Sequence, residues 1–206
     1  MKKVIVWLLL AAAAASVYGC ALDAQQRALS DKLIRLHVVA ASDSPEDQAR
    51  KLLVRDAVLR SARTLLADTD DPRRTLEAHL SELAHSAQQA LAEDGCAEEV
   101  TVRLGAERFP TRRYASFSLP AGVYESLRIC IGPAEGRNWW CVVFPSLCCA
   151  ATAEELGPAA RAGGFTEAEV RLITEEGGGY VLKFRILELL QSVKRRLFPS
   201  ASEAAA

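Results

Sequence analysis

Hydrophobic and polar residues alternate over several stretches of this chain, and each such stretch predicts a β-strand. Residues 33–40 alternate most clearly, with apolar side chains on one face and Arg35 and His37 on the other. Further alternating or wholly apolar runs follow at residues 100–104, 114–119, 124–131 and 139–144. We therefore expect a small, mostly antiparallel sheet of about four to five strands.

Between the first two predicted strands, two long segments carry leucines at helical spacing. Ser44 is placed to cap the first helix and Pro45 fits its first position, so this helix is predicted to run from Pro45 to about Ala67. Asp71-Pro72 repeats the signal, and the second helix is predicted to end by Gly95. The pattern predicts an α+β fold with two long helices packed on one face of the sheet.

The amino-terminal end has the composition of an export signal. Lys2 and Lys3 precede an apolar run that ends at Ala15, so residues 1–20 are predicted to be a signal peptide or an N-terminal membrane anchor. Cys20 is a third alternative, because a lipid could be attached to its thiol. Residues 21–32 are polar and predict a tether to the folded part.

The folded α+β domain is predicted to span residues 33–150, and the sequence changes character beyond it. Residues 151–179 are rich in Ala and Gly and predict a linker with one short helix, which starts at the capping box Thr166–Glu169. Residues 180–206 form a basic amphipathic C-terminal segment, which is predicted to be helical. This helix either lies on an anionic membrane or a partner, or packs back on the domain.

Composition narrows the class of protein. With 206 residues, 50% of them hydrophobic, the chain is long and apolar enough to bury a core. The formal net charge is −1, which argues against nucleic-acid binding because that function needs a strongly basic face. Charge also appears at unexpected places, since Asp56 and Arg63 interrupt the leucine stripe of the first helix. We interpret Asp56 as paired with a neighbour such as Arg60 at the edge of the core.

The six cysteines do not form a recognisable framework. Without Cys20 their number is odd, so at least one thiol is expected to remain free or to pair between chains. No spacing is Cys-x-x-Cys and only three histidines are present, so we predict neither a metal nor a cofactor. Cys141 and Cys148 either close a small loop through a disulfide or remain two packed thiols.

The sequence lacks the glycine-rich loops and nucleophile elbows that identify common enzyme classes. One catalytic set can be drawn, with Cys141 as nucleophile, His37 as base and Asp43 as the group that orients the base. It would make the chain an exported cysteine-dependent hydrolase or oxidoreductase. The apolar neighbours of Cys141 disfavour a thiolate, so we predict that the protein is not an enzyme.

The run NWWCVVFPSLC (Asn138–Cys148) places two tryptophans side by side in an apolar strand that is either core or contact surface. Together with IRLHVVAASDSPEDQARKLLVRDAVL (Ile34–Leu59) and FPTRRYASFSLPAGVYESLRICIG (Phe109–Gly132), it resembles the stage II sporulation protein R family. The resemblance covers about residues 33–149, the bulk of the predicted domain.

The resemblance implies a secreted signal of endospore formation. Such a protein is exported from the forespore into the intermembrane space, where it is required for a membrane-embedded aspartic protease of the mother cell to process pro-sigma-E. The leader and the C-terminal helix are candidate contacts with a membrane surface. For the protease contact, our hypothesis is a face formed or supported by six residues: Trp139, Trp140, Phe144, Ser42, Asp43 and Ser44.

Overall fold

The computed structural model describes residues 26–147 and 153–174, together with Lys3, Val6, Trp7, Leu10, Ala14, Val17, Cys20 and Ala24. In chain order its elements are β1 (Ile34–Val39), α1 (Pro45–Leu66), α2 (Pro72–Ala78), α3 (Leu80–Glu93), β2 (Val100–Phe109), β3 (Arg112–Arg113), β4 (Ser118–Leu119), β5 (Gly122–Ile131), β6 (Asn138–Phe144), α4 (Ala153–Ala162) and α5 (Glu167–Thr174). The fold is α+β, as the hydrophobic pattern predicts.

The main sheet has four strands in the order β2-β5-β1-β6. β5 pairs with β2 in antiparallel fashion and with β1 in parallel fashion, while β1 and β6 are antiparallel. The sheet is therefore mixed, although two of its three pairings have the predicted antiparallel direction. The parallel pair is possible because α1, α2, α3 and β2 separate β1 from β5 along the chain, which is ample length for a crossover.

Both faces of the sheet are covered by described elements, and each cover encloses its own core. On the first face, called the helix face below, side chains of β1 such as Leu36 and Val38 pack with Val54 of α1 and Leu83 of α3. On the opposite face, called the second face, Phe109, Tyr124 and Val142 pack with residues of the 114–119 segment, α4 and α5. β1 lies between the two cores, and all six of its residues are buried.

The first predicted helix is confirmed. α1 begins at Pro45, where the Ser44 hydroxyl accepts a hydrogen bond from the Asp47 N–H at 3.1 Å, and ends at Leu66. The second predicted helix is interrupted at His79, which separates α2 from α3. His79 Nδ1 bonds to the Thr75 carbonyl at 2.8 Å, and the His79 N–H bonds to the Leu76 carbonyl instead. The side chain has thus taken the acceptor that a continuous helix would use.

The strand predicted at residues 114–119 is wrong for residues 114–117 and confirmed only at Ser118–Leu119, which form β4. The structure has a turn here, in which the Tyr114 N–H donates to the Phe117 carbonyl at 2.8 Å, and this turn joins the two-residue strands β3 and β4. The rings of Tyr114 and Phe117 stack with centroids 4.4 Å apart. The apolar residues recur here because a tight turn sends them into the second-face core, so their spacing imitates a strand.

Residues 153–174, where we expected a linker with one short helix, form α4 and α5. Leu156, Ala160 and Ile173 are fully or almost fully buried in the second-face core. The predicted capping box is present, since the Thr166 N–H donates to Glu169 Oε2 at 2.7 Å and the Glu169 N–H donates to Thr166 Oγ1 at 3.3 Å.

The predicted C-terminal segment 180–206 and most of the predicted leader lie outside the described residues. Within the described part, no helix combines the length and the apolar composition that a membrane crossing requires.

Candidate partner-binding site

Trp139 lies on β6, an edge strand of the four-stranded sheet, and its side chain reaches the surface beside α1. The residue is 37% exposed, which is unusual for so large an apolar side chain. The guanidinium carbon of Arg55 lies 4.6 Å from the centroid of its ring, in a cation–π arrangement that holds the ring in place. Trp139 is therefore an oriented, partly exposed aromatic side chain.

Trp140 points to the opposite side of β6, because successive side chains of a strand alternate. Its ring stacks on His37 with centroids 3.9 Å apart and meets Phe109 edge-on at 4.8 Å. The guanidinium carbon of Arg112 lies 5.4 Å from the centroid of the same ring. The sequence left open whether this tryptophan pair is core or contact surface. Trp139 lies at the surface, whereas Trp140 is half-buried against the second-face core.

A groove of about 610 Å³ opens at this edge of the sheet, between α1 and the turn 114–117. We call it the arginine groove, because its helical wall carries Arg55, Arg60 and Arg63. Its remaining lining is mainly apolar and aromatic: Leu59, Tyr114, Ala115, Phe117, Trp139, Trp140, Cys141 and Leu147, with Asp56 and Ser116. Asp56 pairs with a neighbouring arginine, but with Arg55, at 2.7 Å, and not with Arg60.

The wall opposite α1 is fixed from behind by Arg35. This side chain is fully buried, and its Nη2 donates a hydrogen bond to the Tyr114 hydroxyl at 2.8 Å. Its guanidinium carbon lies 4.0 Å from the ring centroid of Phe109 and 4.9 Å from that of Tyr124. Burial lowers the pKa of Arg35 and raises the pKa of Tyr114, since each charged form is disfavoured away from water.

Arg35 is incompletely satisfied: within the described structure, Nε and Nη1 are buried without a hydrogen-bond partner. The hydrogen bond to Tyr114 is therefore one of few polar contacts that compensate for the burial of this charge. It also links Tyr114, in the groove wall, to β1 in the interior of the sheet. If Tyr114 moved away, the buried Arg35 would lose this hydrogen bond as well.

The turn Ser42–Ser44 uses its side chains internally. Ser42 donates to Asp47 Oδ2 at 2.6 Å, and this hydrogen bond is the main reason that the pKa of Asp47 is lowered. Asp43 Oδ1 accepts from the Arg137 N–H at 2.7 Å, just before β6 begins, while Ser44 caps α1. The turn thus holds the first residues of β6 against the start of α1 and places Trp139 relative to Arg55.

Phe144 lies at the other end of β6. It is half-buried against the helix-face core and lines a separate depression with Leu33 and Val123. At about 3.4 Å per residue, the strand places it roughly 17 Å from Trp139. The structure thus brings Trp139, Trp140 and the turn to one end of β6 and leaves Phe144 at the other.

The catalytic set drawn from the sequence is not assembled. Cys141 packs in the helix-face core, whereas His37 contacts Trp140 and Phe109 on the second face. Asp43 is engaged with Arg137. Cys141 is also disulfide-bonded, which removes it as a nucleophile in this state. Its predicted partner, Cys148, lies outside the described residues, whereas Cys20 is an exposed free thiol.

His37 is held by hydrogen bonds at both ring nitrogens, at 2.8 Å to Glu107 Oε1 and 2.7 Å to Asn138 Oδ1. Glu107 in turn accepts from the Ser126 hydroxyl at 2.8 Å. This network leaves His37 4% exposed and gives it a positioning role beneath Trp140. In the described part of the chain, no three His, Cys, Asp or Glu side chains are grouped to hold a metal ion.

The sequence does not predict that arginines line a groove, although one of these arginines interrupts a regular pattern. The interruption of the leucine stripe by Arg63 marks the point where α1 turns a charged edge toward β6. Arg35 gave a similar signal, as a charge in the middle of a strand that is apolar on its other face. Neither signal could show that the 114–117 turn closes the groove, because that turn was mistaken for a strand.

A model of the family described as Stage II sporulation protein R matches residues 30–154, which include the whole arginine groove. Over 123 residues the chain is 37% identical to "Stage II sporulation protein R" of Bacillus subtilis (strain 168). That match covers 58% of this chain and 55% of the relative, so the chain spans about half the length of the curated protein it matches. No solved structure matches it.

Proposed function

The chain belongs to the stage II sporulation protein R family, and from this premise we propose that it is an exported signal that activates a protease in another cell. The protease is the membrane-embedded aspartic protease that processes pro-sigma-E in the mother cell. In this proposal the protein is exported from the forespore and acts in the intermembrane space, where it binds the protease and makes or breaks no covalent bond itself.

One observation carries the proposal: the exposed ring of Trp139 is held beside an open groove instead of being folded into the core. Exposing a large aromatic ring to water is unfavourable, and aromatic and arginine side chains are the groups that most often dominate protein interfaces. A protein that acts by binding needs such a prepared surface. Cys141 and His37, the nucleophile and base of the catalytic set, lie on opposite faces of the sheet. This separation does not favour an enzyme.

The six residues of the hypothesised contact face take different parts in this proposal. Trp139 contacts the protease directly, and Trp140 supports the floor of the groove. Ser42, Asp43 and Ser44 support the face by fixing the start of β6. Phe144 lies too far along the strand to share a contact with Trp139, and we assign it to packing.

The test is to co-express the chain with the protease and its pro-sigma-E substrate in a host that does not sporulate, and to follow shortening of the substrate. We expect shortening only when all three proteins are present. The Trp139→Ala variant should strongly reduce it while the protein stays folded, because truncating a central aromatic side chain costs an interface about 2 kcal/mol or more.

The matched control is Leu53→Ala, which removes another exposed apolar side chain, 43% exposed, from α1 outside the groove. It should leave shortening unchanged. If the complete system fails to shorten the substrate, the proposed function is wrong. If Trp139→Ala is folded and fully active, the function stands but this contact face does not.

A further inference from the structure

The helical wall of the arginine groove concentrates positive charge, of which only part is neutralised. Arg60 and Arg63 are both exposed, and neither has a carboxylate within salt-bridge distance among the described residues. Arg55 has Asp56 as its partner, at 2.7 Å. The lining therefore holds three arginines against one acidic residue, although the chain as a whole is slightly acidic.

The geometry favours an extended occupant. Arg55 and Arg63 are eight positions apart on one helix, so their α-carbons are about 12 Å apart along its axis. An extended peptide covers that distance with about four residues. The groove runs beside β6, with apolar and aromatic side chains as its floor and arginines along one wall. A peptide with carboxylates on one side and an apolar side chain on the other matches both surfaces.

Two other occupants fit less well. The C-terminal segment of this chain carries Lys183, Arg185, Lys194, Arg195 and Arg196 against Glu188 between residues 180 and 198, so its charge opposes that of the groove. An anionic membrane has the right charge, but a flat lipid surface does not fill a groove that opens between α1 and the turn 114–117.

We propose that the arginine groove binds an extended acidic segment of a partner protein, with carboxylates paired to Arg60 and Arg63 and an apolar side chain packed on Trp139. This inference rests on the proposed function, since it specifies the chemistry of the partner segment. Guanidinium groups suit this task, because their planar fork can bind a carboxylate through two parallel hydrogen bonds.

The test measures binding of a fluorescein-labelled probe peptide, Glu-Asp-Leu-Glu-Phe-Asp-Glu, to the full chain by fluorescence anisotropy. A second peptide, in which every acid is replaced by its amide, controls for apolar contacts. We expect the acidic peptide to bind and the amide peptide to bind much more weakly, with affinity for the acidic peptide falling as salt is raised.

The decisive variant is R60Q/R63Q, which we expect to weaken binding of the acidic peptide about tenfold, as two exposed ion pairs would. Its control is R74Q/R108Q, which also removes two exposed arginines, but from α2 and from the edge strand β2. This control should bind as the unchanged chain does. Trp139→Ala should weaken binding of both peptides.

Three outcomes would overturn the inference: no binding of the acidic peptide, equal loss in R60Q/R63Q and R74Q/R108Q, or groove-dependent binding to phosphatidylglycerol vesicles in place of the peptide. The substrate-shortening assay separates this inference from the proposed function. Shortening that survives R60Q/R63Q leaves the function intact and removes the acidic segment. Peptide binding without any shortening leaves the groove as a binding site and removes the function.

Discussion

The two faces of the sheet are built from the same strands but hold different chemistry. On the helix face, β1 contributes Leu36 and Val38 to a core of aliphatic side chains under α1 and α3. On the second face the same strand contributes Arg35 and His37, which are buried with aromatic rings and hydrogen-bonding side chains. β1 thus places apolar side chains in one core and two polar side chains in the other.

The difference separates stability from recognition. The side chains packed in the helix-face core are apolar, so their contacts contribute mainly through removal of apolar surface from water. The buried charge of α1, Lys51, donates hydrogen bonds to Gln48 Oε1 at 2.6 Å and to the Arg137 carbonyl at 3.0 Å. The second face buries an arginine with two unsatisfied nitrogens, which is unfavourable. On the same face, Arg35 fixes Tyr114 and His37 supports Trp140. We infer that the first face mainly stabilises the domain and that the second fixes the groove wall opposite α1.

The largest expected effect comes from the helix face. Leu83→Ala removes a fully buried side chain of α3 and leaves a cavity, so we expect the free energy of unfolding to fall by about 2–5 kcal/mol. Urea denaturation with a far-ultraviolet signal measures it. Leu83 does not line the groove, so the fraction of protein that remains folded should still bind the acidic peptide.

Leu53→Ala serves as the matched control, because Leu53 is a leucine of similar helical context that is 43% exposed. Its free energy of unfolding should change by less than about 1 kcal/mol. Equal effects of the two substitutions would show that the helix face is not a close-packed core, and the contrast between the faces would lose its basis.

The next largest effect belongs to the second face and appears at alkaline pH. Burial raises the pKa of Tyr124 to about 12, whereas the unfolded chain ionises near the ordinary value of 10.0. The folded state therefore keeps this proton over a range where the unfolded state loses it, and stability present below pH 10 is lost as the pH rises toward 12. We expect a loss of about 2 kcal/mol over that range.

The control for this prediction is Tyr124→Phe, which lacks the titrating hydroxyl. Stability should decline less steeply between pH 10 and 12 in this variant than in the unchanged protein. The variant should also be less stable at neutral pH, because the hydrogen bond from the Tyr124 hydroxyl to the Pro120 carbonyl, at 2.7 Å, is lost. Parallel pH curves would contradict the assignment to Tyr124.

A smaller effect tests the contact between Arg35 and Tyr114. Tyr114→Phe removes the acceptor of a buried guanidinium, so we expect a loss of about 1–2 kcal/mol in the free energy of unfolding. The double variant Y114F/R35M provides the control. If the hydroxyl acts by satisfying Arg35, removing the hydroxyl should cost clearly less when methionine replaces the arginine, whereas additive losses would disprove the coupling.

Much of the fold could be predicted from the sequence because local rules agree with the tertiary packing. Alternation located β1, β2 and β5, a wholly apolar run located β6, and the cap at Ser44 located the start of α1. The rules failed where a long-range contact decided the outcome. The aromatic side chains of the 114–117 turn pack in the second-face core. The break between α2 and α3 follows from a side-chain hydrogen bond of His79.

The candidate site was only partly predictable for a related reason. An adjacent pair of tryptophans indicates either a core or an interface. Only the position of β6 at the sheet edge shows that Trp139 is exposed while Trp140 packs on His37. The groove needs α1, β6 and the 114–117 turn together, so no local pattern encodes it. The faces of a helix can be derived from spacing, but the neighbour that each face meets cannot.

The smallest expected effect compares one helix cap from each face. Ser44→Ala removes the cap of α1 and should lower the free energy of unfolding by about 1 kcal/mol. Thr166→Ala should cost less, because the Thr166 N–H can still donate to Glu169 Oε2 at 2.7 Å and retain half of the capping box. Thermal denaturation of both variants measures this difference.

The same pair of variants tests how the Ser42–Ser44 turn acts in signalling. In the structure Ser44 faces its own helix, so its removal should reduce substrate shortening only as far as it reduces the folded fraction. Thr166→Ala, far from the groove along the chain and on the other face, sets the level expected from stability alone. If Ser44→Ala abolishes shortening in a protein that remains folded, the turn contacts the protease directly, and recognition extends beyond the groove to the start of α1.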